Sequence, residues 1–119
     1  MYRLLSENPR MDMLPGTLDI LILRSLIWGA RHGYAVARWI ESSSDGSLTV
    51  LDGALYTCLH RMENRGWIAA EWGVSGQGRR AKFYRLTPTG RKQLNAETKE
   101  WIEYVAAVGK VLKTMTRPA

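Results

Sequence analysis

The residues of this 119-residue chain best suited to chemistry on a charged partner lie in the run SGQGRRAKFYRL, residues 75–86. Two glycines and a glutamine leading into two arginines fit two kinds of phosphate contact: a loop that wraps a nucleotide, or a basic tip that grips a nucleic-acid backbone. A nucleotide loop needs its glycines after a strand and before a helix, with a lysine and a hydroxyl in register, so that the helix N-terminus faces the phosphate. Here the glycines run into AKFYRL, whose alternation predicts a strand. The run therefore reads as a hairpin tip, residues 75–80, and its partner as a polyanion.

Charge supports the same partner. Residues 51–92 hold Arg61, Arg65, Arg79, Arg80, Lys82, Arg85, Arg91 and Lys92 against Asp52, Glu63 and Glu71, a net +5 of the chain's +6. Such side chains give sequence-independent grip on phosphates and set the register of whatever reads the bases. The alternative is a basic loop that is merely solvated.

Catalysis finds no constellation. Asp19, Asp45 and Asp52 fall on an apolar segment, a loop and a helix start, and His32 and His60 lie in different segments without a carboxylate partner. Cys58, the one cysteine, excludes an internal disulfide and a cysteine-rich zinc site. Beside an apolar stripe it reads as a small hydrophobe. The expectation is a protein that is not an enzyme and takes no metal and no cofactor. A single thiol, no secretory leader in MYRLLSENPRMDML and no apolar run of membrane-spanning length point to the cytoplasm.

The elements that must position these residues follow from periodicity and turn chemistry. Residues 1–13 are polar, contain Pro9, and are expected to form a flexible arm. In LPGTLDILILRSLIWG, Thr17 can cap a helix that is apolar on nearly every face as far as Trp28, the pattern of a buried helix. HGYAVARWIESSS spaces Tyr34, Ala37 and Ile40 as a second helix, with Arg38 turned away. LDGALYTCLHRMENRGW predicts a third from an Asp52 cap to a Gly66 stop, its buried stripe Leu55, Leu59 and Met62. Residues 67–74 and 81–86 form the hairpin. The last segment, residues 88–114, carries Leu94, Thr98, Trp101, Val105, Val108 and Leu112 at spacings of three and four, the stripe of a seam that packs on another helix. Residues 115–119 read as a disordered tail.

The fold class is mainly α with a small β-hairpin (α+β). Helix, helix, helix, hairpin, helix is the order of a winged helix-turn-helix, residues 14–87, with an added C-terminal helix. In a helix-turn-helix the reading helix lies in the major groove. Gly53, Ala54 and Thr57 suit the leading end of such a helix because small or polar residues allow close approach to base edges. The bland alternative is a short amphipathic core helix. Arg79, Arg80 and Lys82 are the candidates for backbone grip by the wing.

The segments LPGTLDILIL, HGYAVARWIE, GALYTCLHRMENRGWI, EWG, RRAKFYRLTPTGRKQL and ETKEW together resemble the PadR family of bacterial transcriptional regulators, in its short form with a single C-terminal helix. The likeness runs over about residues 14–112. It implies a homodimer that binds double-stranded operator DNA and dimerises through the C-terminal helix, helped by the N-terminal one; with the seam read above this makes Leu94, Trp101, Val105, Val108 and Leu112 the candidate dimer residues of a cytoplasmic repressor acting on a pseudo-palindromic site. By the same resemblance Tyr34 and Tyr56 are candidates for DNA contacts near the start of the reading helix, or else core rings with a hydroxyl at the rim. His60 and Arg61 lie one turn further along. Two positions depart from the family's usual pattern: Ala54 replaces a hydroxyl residue and Thr57 a proline, which bears on which operator is read. Trp101 is a candidate surface for a small aromatic effector between subunits, or fills a dimer core. Trp28, Trp39, Trp67 and Trp72 read as core or rim packing. The alternative function is a winged-helix module that binds protein or RNA.

Overall fold

A computed structural model describes residues 13, 16–115 and 117. The expected arm and tail fall mostly outside the described residues, although Met13 packs against the core. The elements run α1 (Thr17–Ser25), β1 (Arg31–His32), α2 (Gly33–Ser43), α3 (Asp52–Asn64), β2 (Ile68–Val74), β3 (Arg80–Leu86) and α4 (Pro88–Leu112). This is the expected winged helix-turn-helix with a long C-terminal helix.

The all-round apolar pattern of α1 is explained by its central place. Leu18, Ile20, Ile22, Leu23 and Ser25 are buried, and the helix packs against α2, α3 and α4. It stops three residues before Trp28, because the chain tightens into turns in which the Leu26 and Ile27 amides donate to the Leu23 and Arg24 carbonyls. Its cap position is held by Gly16 in a left-handed conformation rather than by Thr17. Trp28, read as core or rim, lies 67% exposed with Arg24 5.2 Å from its ring centre.

The sheet has three strands in the order β1-β3-β2, all antiparallel. Two residues are too few to show alternation, so β1 carries no sequence signal of its own. It exists because Arg31 and His32 pair with Tyr84 and Phe83 on β3. His32 then ends the strand and starts α2, its Nδ1 accepting from the Ala35 amide at 3.2 Å.

Leu51, not Asp52, caps α3, and Asp52 sits in the first turn, where its charge complements the helix dipole. At the other end Gly66, at φ 77, lets the Trp67 amide reach the Met62 carbonyl at 3.0 Å while its own amide meets Glu63. That is the left-handed stop expected of this glycine. The hairpin pairs seven residues with seven, from Ile68↔Leu86 to Val74↔Arg80. Arg80 therefore belongs to β3 and the tip is shorter than expected. The Ser75 amide donates to Arg79 at 2.7 Å and Gly78, at φ 76, donates to Ser75 at 2.9 Å. Residues 76–78 thus form a three-residue loop with glycine at the left-handed position.

The TPTG sequence after β3 forms a joint. Thr87 caps α4, its Oγ1 accepting from the Gly90 amide at 3.0 Å while reaching the Gly66 carbonyl at 2.6 Å. Gly90 is required by close approach: a Cβ there would lie 1.9 Å from the Trp67 carbonyl oxygen. The start of α4 is thereby locked to the turn between α3 and β2.

Candidate nucleic-acid interface

Helix α3 rests on Leu55, Leu59 and Met62, which leaves Gly53, Ala54, Tyr56, Thr57, His60 and Asn64 outward. At 100° per residue, Gly53, Thr57, His60 and Asn64 form one row along the helix. Asn64 is not among the candidate site residues of the sequence, which places it only on the polar side of the helix beside His60; its Nδ2 lies 3.4 Å from His60 Nε2, and the i, i+4 spacing is the signal that links the two.

Tyr56 leans from α3 onto the N-terminus of α2. A Cβ built on Gly33 would stand 2.6 Å from the Tyr56 hydroxyl, so the absence of a side chain at Gly33 makes room for this ring. Tyr34, 61% exposed, accepts a hydrogen bond from Arg38 Nη1 at 2.8 Å. Arg38, read only as turned away from the core, is thus brought beside two candidate residues by its place one turn after Tyr34.

The wing presents the other wall. Ile68, Ala70, Trp72 and Val74 share one face of the hairpin with their partners Leu86, Tyr84, Lys82 and Arg80. This face is buried at Ile68 and open at Trp72, which is 59% exposed and covered by Arg80 at 4.6 Å from the ring centre. Trp72 is therefore not core packing: it is a platform for Arg80. Lys82 Nζ lies 3.3 Å from Glu63 Oε1, so part of its charge is spent on holding the wing to α3. Arg79 is exposed at the loop.

Between α2, Tyr56 and the wing lies an open groove of about 1200 Å³. Arg31, Arg38, Arg79, Arg80 and Lys82 line it together with Tyr34, Tyr56 and Trp72, and among the described residues no acidic one does. Such a groove is suited to a polyanion, with hydroxyls and backbone amides available to phosphate oxygens beside the cations. Arg31 is partly occupied, its Nε donating to the Ser25 carbonyl at 2.8 Å. Burial raises the Tyr84 phenol above its ordinary range, which keeps it a neutral donor in the floor of the groove.

Arg61 sits apart from the other candidates. Its Nη2 meets both carboxylate oxygens of Asp19 on α1, at 2.5 and 2.6 Å, and lies 3.7 Å from Cys58 Sγ. The Asp19 hydrogen bond, foremost, holds the guanidinium above its already high range. Cys58 is half-buried, and burial ahead of Asp19 pushes its thiol up, which makes it a poor nucleophile. Among the described residues no cluster of His, Cys, Asp and Glu is arranged to hold a metal ion, and no helix is long and apolar enough to cross a membrane.

On α4 the candidate seam divides. Leu94 is 2% exposed within the chain's own core, so it is unavailable to a partner. Beyond it Trp101, Val105, Val108 and Leu112 are exposed, and so are Ile102, Tyr104 and Val111, which a three-four stripe omits. Trp101 and Tyr104 have ring centres 6.3 Å apart.

Comparison with known proteins agrees with this architecture. A family model described as the transcriptional regulator PadR-like family matches residues 22–96. A transcriptional regulator from Clostridium thermocellum superposes with a TM-score of 0.75 at 30% identity, covering 82% of this chain and 92% of that one. A PadR family transcription regulator from Clostridium difficile gives 0.71 at 29% identity, covering 82% and 99%. An uncharacterized protein of Lysinibacillus sphaericus is 33% identical over 94 residues, 79% of this chain and 86% of that protein.

Proposed function

The chain belongs to the PadR-like family of transcriptional regulators, and from that premise we propose that it is a repressor that binds a pseudo-palindromic operator in the cytoplasm as a homodimer. Regulators of this family bind DNA and are not enzymes. In the proposed mechanism the unit of residues 14–87 binds one half-site, with Gly53, Ala54, Tyr56, Thr57 and His60 turned to the major groove. Tyr34, Arg79, Arg80 and Lys82 grip the flanking backbone. Residues 88–114 join two protomers through Trp101, Val105, Val108 and Leu112. Two reading helices would then stand about one turn of DNA apart, and occupancy would exclude polymerase. A small aromatic effector stacked on Trp101 between subunits would change their angle and release the operator.

One observation supports the reading: Tyr56, outward on α3, also lines a groove where five cations and, among the described residues, no acid are found. A module that bound a protein through this face would need an acidic partner surface to match its charge. Titration of a duplex at rising salt tests it. Arg79→Ala with Arg80→Ala is expected to reduce the slope of log affinity against log salt by about 1.8, two phosphate contacts at roughly 0.9 each. Duplex binding that is absent at low salt, or unmoved by the double variant, refutes the assignment.

A further inference from the structure

We infer that Arg61 acts on sequence preference without touching DNA: paired with Asp19, it sets the rotation of the reading helix on α1. The inference rests on the DNA-binding reading above. Arg61 is the basic residue in the last turn of α3, and its place on the proposed reading helix suggests a phosphate contact. The geometry assigns it elsewhere. One terminal nitrogen binds both oxygens of Asp19, whose side chain is only 14% exposed against 38% for Arg61. Leaving Asp19 to meet a phosphate would abandon a half-buried carboxylate, a costly loss for the partner left behind.

Besides this pair, α3 is held by Glu63 to Lys82 of the wing, by the Tyr56 ring on Gly33 of α2, and against the core by the apolar face Leu55, Leu59 and Met62; of these, only Arg61–Asp19 is a charged tie to α1. Apolar burial is non-directional, so by itself it resists removal of the helix more than rotation about its axis. A charged hydrogen bond to a fixed carboxylate is directional. Side-chain tips stand about 5–6 Å from a helix axis, so a rotation of about 10° moves them roughly 1 Å. That shift takes a base-edge hydrogen bond from good to poor geometry, while flexible phosphate contacts on the wing absorb it. Asp19 lies in the first turn of α1, and α1 also packs against α4. The pair therefore references the reading helix to the same element that carries the C-terminal helix.

The test uses two probes: a duplex enriched from a random pool by the wild-type chain, and a scrambled duplex of the same composition. Wild type, Asp19→Asn, Arg61→Gln and the double variant are titrated at several salt concentrations, with melting temperatures as a check of folding. Positioning predicts that each single variant loses roughly fivefold or more on the enriched duplex, in the range of one misread base pair. The scrambled duplex and both salt slopes stay unchanged, and the double variant is no weaker than the weaker single. A phosphate contact predicts instead that Arg61→Gln lowers the slope by about 0.9 on both duplexes, while Asp19→Asn binds as well as wild type or better. That outcome overturns the inference, as does wild-type behaviour of both variants. Should the single variants fail to fold, Asp19→Glu keeps the charge and shifts the pair by one methylene. It is expected to lower the ratio of enriched to scrambled binding, and an unchanged ratio overturns the inference. Wild type that binds neither duplex refutes the DNA-binding reading itself, a separate result.

Discussion

Replacing Gly33 with alanine separates stability from DNA binding, because the obstructing neighbour is a side-chain end. The new Cβ would meet the Tyr56 hydroxyl at 2.6 Å and ring carbons at 2.9 Å, where ordinary contact begins at 3.4 Å. The hydroxyl must therefore retreat by about 0.8 Å or swing to another rotamer, at a cost of roughly 0.5–1.5 kcal/mol for an off-rotamer ring. Alanine returns up to about 1 kcal/mol in helix propensity. These nearly cancel, so the melting temperature should move by no more than roughly 4–8 °C, the shift of about 1 kcal/mol in a domain of this order of size. Operator binding should fall because Tyr56 no longer points into the groove. A neutral hydrogen bond contributes about 0.5–1.5 kcal/mol, a loss of roughly two- to thirteenfold in affinity. Tyr56 carries no charge, so the salt slope should stay that of wild type. Calorimetry and fluorescence anisotropy on a labelled duplex measure both sides, and Tyr56→Phe, which removes the hydroxyl without a clash, should reproduce the affinity loss alone. Wild-type affinity in Gly33→Ala, or a collapse in melting temperature, refutes the reasoning.

Gly90→Ala is the contrasting case: its Cβ would strike the backbone oxygen of Trp67 at 1.9 Å, which cannot swing aside. A loss of about 3 kcal/mol or more is expected in urea unfolding, the upper end of overpacking, and wild-type stability would contradict the joint described here. Val105→Glu with Val108→Glu should yield monomers in sedimentation at concentrations where wild type is dimeric, since two unpaired charges in a seam cost several kcal/mol; an intact dimer removes α4 from the interface. Cys58, its thiol raised chiefly by burial, holds less thiolate at a given pH than a free thiol. Iodoacetamide at about pH 8 should label it more slowly than in the urea-unfolded chain, with a rate still rising above the ordinary thiol range. A plateau below pH 8 would show the opposite shift.

The helices and hairpin were legible in the sequence because each announces itself locally. Gly66 ends α3 by a conformation that glycine adopts freely, and the alternation of AKFYRL marks β3. The strand β1 was not, since two residues have no period and depend on Tyr84 and Phe83, more than fifty positions away. The candidate site was legible in its charge but not in its partners. Arg61 and Arg80 look alike in sequence; only the fold gives one to Asp19 and the other to Trp72. Trp72, read as core or rim packing, takes the rim, exposed and covered by Arg80. A tryptophan in a strand is usually buried on one face, yet the hairpin extends beyond α3 and leaves that face open from Trp72 outward.

The same logic explains why Leu94 and Trp101, in one apolar stripe, have different work. The stripe is continuous in sequence because both ends need apolar contact, but the first turns of α4 find it within the protomer, where Gly90 and Leu94 are buried. The joint at Thr87 and Gly90 holds these turns to the end of α3 and the base of the wing. The distal turns have no such hold, and their exposed rings and valines are continuous with the buried part. In a dimer joined through those distal turns, a change in the angle between two α4 helices would enter each protomer at a rigid joint. Reading helix and wing would then move together as one body, so the half-site spacing would change while the shape of each half-site grip is kept. Under the proposed function, such a division, stiff at Gly90 and adaptable beyond Trp101, would let a contact remote from DNA alter occupancy of a two-fold operator without remodelling the groove.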